Sequence, residues 1–92
     1  MKIKENLLLK KMGNEYIVVP VGQGVVDFKV VVTLNESGAF LWNKLKEGSN
    51  VETLAESLTK EYEVSLDEAK KDTEDFVKIL VSNSLIDYEK EI

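Results

Sequence analysis

Cysteine, histidine and arginine are all missing from these 92 residues, and proline occurs once. Without cysteine there is no disulfide, no thiolate nucleophile and no thiolate metal site. Without histidine the chain lacks the commonest general base and the commonest transition-metal ligand. All twelve basic residues are lysines, so no guanidinium fork is available to read phosphate or guanine in bidentate fashion. Long apolar runs are missing too, and none approaches the ~20 residues that a bilayer span needs. The start, Met1 to Asn6, is too polar for a secretory signal, and Leu7-Leu8-Leu9 is too short. These gaps point to a cytoplasmic binding module with no membrane partner and no cofactor, not to an enzyme.

What is present reads as one small α+β domain. A hydrophobic fraction of 43% with 32% charged residues is that of a single globular core. The net charge of −5 is unevenly spread. Residues 1–34 hold five lysines against three acids, residues 35–60 three against four, and residues 61–92 four against ten. The last third is therefore strongly acidic, either as a solvated helical surface or as a field that selects partners by sign.

Leu7 to Met12 and Glu15 to Pro20 flank a Gly13-Asn14 turn and predict a β-hairpin. A third strand is predicted over 28–34, where Phe28, Val30, Val32 and Leu34 share a core face. Asn35 then offers a side-chain oxygen to cap a helix over 36–47 that carries Phe40, Leu41 and Trp42. Ser49 and Glu52 have capping-box spacing ahead of a helix over 51–62, with Val51, Leu54, Ala55, Leu58 and Tyr62 as its apolar stripe. Ser65 opens a third helix over 66–82, with Ala69, Thr73, Phe76, Val77, Leu80 and Val81 on the buried face. Ser82-Asn83-Ser84 breaks that helix, and Leu85 to Tyr88 forms a short extended piece. Strands followed by helices predict helices packed on one face of a small antiparallel sheet.

The run Leu34-Asn35-Glu36-Ser37-Gly38-Ala39-Phe40-Leu41-Trp42 resembles the strand-to-helix signature of the PqqD-like family. The likeness continues through Val51 to Ala55, Leu58, Glu61 to Val64, Phe76-Val77, Leu80 and Leu85-Ile86, from about residue 5 to 88. Gly38 stands where the family more often has alanine. The resemblance implies a winged-helix-like fold, a three-stranded antiparallel sheet followed by a three-helix bundle. It also implies recognition of ribosomally made precursor peptides, whose leader segment adds as a strand beside the third strand. A modifying enzyme, often of the radical-SAM class, would be the second partner.

Strand addition has its own physical logic. An exposed edge presents unpaired N–H and C=O groups, which an incoming extended peptide satisfies while its side chains find pockets. On this reading Phe28, Lys29, Val30, Val31, Val32 and Thr33 supply the ladder, and Ala69, Lys70, Thr73, Glu74 and Val77 form the opposite wall. Lys29 and Lys70 would meet an acidic leader. Asp72-Thr73-Glu74-Asp75 is not expected to bind a metal, because consecutive helical residues point in different directions and no coordinating loop glycine accompanies them. Two other readings use the same architecture. One is a winged-helix nucleic-acid binder, which the five acids against three lysines of residues 65–84 oppose. The other is a homodimer joined through the edge strand.

Overall fold

The computed structural model describes residues 1–21 and 32–87. Its elements are β1 (Lys2–Ile3), β2 (Leu7–Met12), β3 (Glu15–Pro20), β4 (Val32–Leu34), α1 (Glu36–Leu45), α2 (Val51–Glu61), α3 (Leu66–Ser82) and β5 (Ile86–Asp87). Strands β2, β3 and β4 form an antiparallel sheet in that order, ahead of the three helices. The fold is α+β, as predicted. Of the strand expected over 28–34, Val32–Leu34 forms β4, while Phe28, Lys29, Val30 and Val31 lie outside the described residues.

The hairpin fixes the hydrogen-bond phase of the whole sheet. Met12 faces Glu15 across a two-residue loop in which Gly13 stands at φ +63, the backbone that a glycine-first turn requires. A loop of that length makes Met12–Glu15 a hydrogen-bonded pair, and antiparallel pairs alternate from there. Val21 N–H donates to the Asn6 carbonyl at 2.8 Å, which extends the same phase beyond the strand ends. Pro20 falls opposite Leu7 on a non-bonded pair, where its missing N–H costs that ladder nothing. Tyr16 and Val18 consequently turn their main-chain groups toward β4, opposite Leu34 and Val32. Thr33, between those two, turns its N–H and C=O away from the sheet.

Each helix is capped by a side chain. Asn35 accepts from Gly38 N–H at 2.8 Å, and Ser65 accepts from Glu68 N–H at 3.2 Å, both as predicted. The cap of α2 is Asn50, which accepts from Thr53 N–H at 2.8 Å, and not Ser49. Either residue has a suitable oxygen, but only Asn50 stands immediately before the first helical residue. Helices α1 and α2 end at Leu45 and Glu61, slightly short of the predicted 47 and 62. At the end of α3, Leu85 N–H bonds to the Leu80 carbonyl and Ser84 N–H to that of Val81, with Ser84 at φ +57. A serine thus takes the left-handed position that glycine usually holds, and it turns the buried Leu85 back onto the core.

The core joins one face of the sheet to all three helices. Val18, Trp42, Leu45, Leu54, Ala55, Ala69, Thr73 and Leu80 are fully buried. Trp42 is therefore core. Phe40 is half-buried and meets Tyr62 edge-on at 5.8 Å between ring centroids. Val81, predicted buried, is 43% exposed, and Val77 is only half-buried, so the buried stripe of α3 is narrower than its pattern of apolar residues.

One pairing is not predicted by the sequence pattern. Strand β1 pairs with β5, Ile3 opposite Ile86, in a separate two-stranded ribbon. Lys4 N–H adds a bond to the Leu85 carbonyl, and Met1 exchanges main-chain bonds with Ser49. Strands of two residues have no periodicity to read, so only the extended run from Leu85 was legible. Tyr88, its predicted end, lies outside the described residues.

Candidate functional site

A groove of about 550 Å³ opens between the end of β4, the start of α1 and one flank of α3. On the sheet side it is lined by Thr33 and Leu34, with Asn14 and Glu15 of the hairpin beside them. Asn35, Ser37, Gly38 and Leu41 bring in the first turn and a half of α1. Helix α3 contributes Asp72, Asp75, Phe76 and Ile79, which are spaced as neighbours on one helical face. A second hollow of about 340 Å³ shares Asn35, Ser37 and Asp72 with the first and runs on past Glu36 to Leu58, Tyr62 and Val64. The two make one trough that crosses the α1 N-terminus.

The capping of α1 shapes the middle of this trough. Asn35 turns the chain sharply from β4 into the helix, so Gly38 lies directly over Leu34. A Cβ on Gly38 would stand 3.2 Å from both the Leu34 Cβ and the Asn35 Oδ1. The floor is apolar: Leu34, Leu41 and Phe76 are almost wholly buried, and Ile79 is 42% exposed at the rim. The rim itself is acidic. Glu15, Glu36, Asp72 and Asp75 are all exposed along the trough, and no lysine lines it among the described residues. Burial first, and then the charges of Glu36 and Glu61, push the Tyr62 hydroxyl above its ordinary pKa.

The residues predicted from sequence divide among three places. Val32 and Thr33 lie on β4, which has β3 on one side and, among the described residues, no strand on the other. Ala69 and Thr73 are sealed in the core with no exposed surface, so they cannot touch a ligand without movement of α3. The Thr73 Oγ1 is buried there with no hydrogen-bond partner. Lys70, Glu74 and Val77 fall on the flank of α3 opposite the one that faces the trough, by the 100° turn per residue of an α-helix. None of these five lines the groove.

The sequence pattern therefore does not mark Asp72, Asp75, Phe76 and Ile79 as a wall, although it places Phe76 in the core. A buried stripe has two flanks, and the sequence marks both with charge. Which flank turns to the sheet depends on the path of the chain from β4 through α1 and α2, which no local pattern encodes. Among the described residues no group of three acids is placed to hold a metal ion.

No curated protein matches this sequence. Two solved structures share the fold. One is TbiB1 in complex with the TbiA(beta) leader peptide, 22% identical, with 99% of this chain and 100% of that one covered and a TM-score of 0.72. The other is a lasso peptide synthetase B1 complexed with the leader peptide, 21% identical, with 91% and 93% covered and a TM-score of 0.66. At such identity the likeness is one of architecture. The family model of coenzyme PQQ synthesis protein D (PqqD) matches residues 15–86, which takes in β3, β4 and all three helices, and the chain accordingly belongs to the PqqD family.

Proposed function

We propose that this protein is a non-catalytic peptide-binding adaptor. It captures the leader segment of a ribosomally made precursor by strand addition and presents it to a modifying enzyme. The observation that carries this reading is the outward-facing main chain of Thr33 inside a groove walled by α3. A free edge alone is common, but an edge with an apolar floor and a facing helix can hold both the backbone and the alternate side chains of an extended segment. The ladder would run from Thr33 back along Val32 and through 28–31, with Asp72, Asp75, Phe76 and Ile79 opposite. The two solved structures of this fold, each with a leader peptide bound, support the same use of the architecture.

Family membership supports a partner enzyme in peptide maturation, and a radical-SAM enzyme fits the resemblance. The test is a titration of the isotope-labelled chain with the leader of a precursor encoded beside its gene. Amide shifts should centre on 28–34 and on 72–79. Shifts confined to β2 or to the far flank of α3 would overturn the assignment. Sedimentation across a concentration series checks whether a second copy, and not a peptide, takes the edge.

A further inference from the structure

We infer that the trough selects a segment bearing a lysine or arginine two positions from an apolar residue, and not the acidic leader that Lys29 and Lys70 suggested. This rests on the peptide-capture reading and adds the chemical class of the captured segment. Asp72 sits where the two hollows meet. Its neighbours three and four positions away on α3 are Glu68, Ala69, Asp75 and Phe76, so the helix itself offers it no cation. Asp75 has Lys71 and Lys78 within one turn, but neither lysine lines the groove. Glu15 and Glu36 bring two further carboxylates from the hairpin and from α1.

An extended peptide bonded to the outward N–H and C=O of Thr33 would pass between these carboxylates. An apolar side chain would fit against Leu41, Phe76 and Ile79. A basic side chain two positions along, on the same face of the added strand, would lay its aliphatic stem along that surface and carry its charged head to Asp72. An acidic side chain there would meet like charge from the hairpin, α1 and α3. The −6 carried by residues 61–92 adds a longer-range field of the same sign, which speeds the encounter with a cationic segment.

The experiment is selection of a randomised 14-residue display library on the full chain at low salt, repeated on D72N/D75N and on E52Q/E56Q. The second variant removes the same charge from exposed positions of α2 that lie outside the trough. The inference expects wild type and E52Q/E56Q to enrich lysine or arginine two positions from an apolar residue, and D72N/D75N to lose that preference. Selected peptides should bind D72N/D75N about three- to tenfold more weakly, since each exposed pair is a modest interaction, and Asp72→Glu should keep the preference. Circular dichroism melts verify that each variant is folded. Captured peptides without basic residues, or a basic preference that survives D72N/D75N, would overturn the inference while leaving peptide capture intact. A library that yields no binder would overturn peptide capture itself, and this inference with it.

Discussion

Strand β2 exposes Leu8, Lys10, Lys11 and Met12 along the outer edge of the sheet, and two of the four are lysines. Strand β4, at the other edge, exposes Thr33 into a groove whose far bank is α3. Among the described residues, no further strand pairs with either edge. On β2 the long charged side chains hinder another strand from settling, which is how soluble proteins commonly blunt an edge. On β4 the helix supplies a second surface, and the groove between them has an apolar floor. An edge becomes a site when something faces it across one strand's width.

The comparison can be broken most severely at the facing wall. Phe76 is shared between core and groove, so Phe76→Ala should cost about 3–5 kcal/mol in urea unfolding and abolish peptide capture together. A loss under about 1 kcal/mol would mean that α3 does not hold the groove. A sharper cut separates backbone from wall. Thr33→Pro removes an N–H that points away from β3, so the sheet should survive while peptide affinity falls roughly tenfold or more. Lys11→Pro removes the equivalent outward N–H from β2, and calorimetry should find peptide affinity unchanged. Equal losses from both prolines would erase the distinction between the two edges.

The next effect is smaller. Asn35→Ala removes the cap that joins β4 to α1 and should cost about 1 kcal/mol, with some loss of binding because Asn35 also lines the groove. Asn50→Ala should cost about the same in stability and leave binding alone, as α2 is capped away from the groove. The smallest effect is expected in the sealed stripe. Thr73→Val replaces a buried hydroxyl that has no partner with a methyl of similar size, and thermal melts should show a protein unchanged to about 1 kcal/mol more stable. Destabilisation there would mean that the hydroxyl is bonded after all.

Much of this was legible residue by residue. The hairpin, its Gly13-Asn14 turn and the span of α3 were all readable from the chain, because each is set by short-range sterics and by hydrogen bonds within a few residues. The caps at Asn35 and Ser65 followed the same logic. Spacing alone does not separate Asn50 from Ser49 as the cap of α2, because the two stand side by side. The pairing of β1 with β5 was not legible, since each strand is two residues long and they are more than eighty residues apart in the chain.

By itself the sequence determined what each segment is: strand or helix, where it begins, and which stripe must be buried. It also determined what the protein cannot do with cysteine, histidine or arginine. Only the tertiary structure decided that Asp72, Asp75 and Ile79, and not Lys70, Glu74 and Val77, look across at β4. The two flanks of α3 are equivalent to any rule that acts along one helix. Packing α3 onto α2, and linking both to the sheet through α1, is what makes them different.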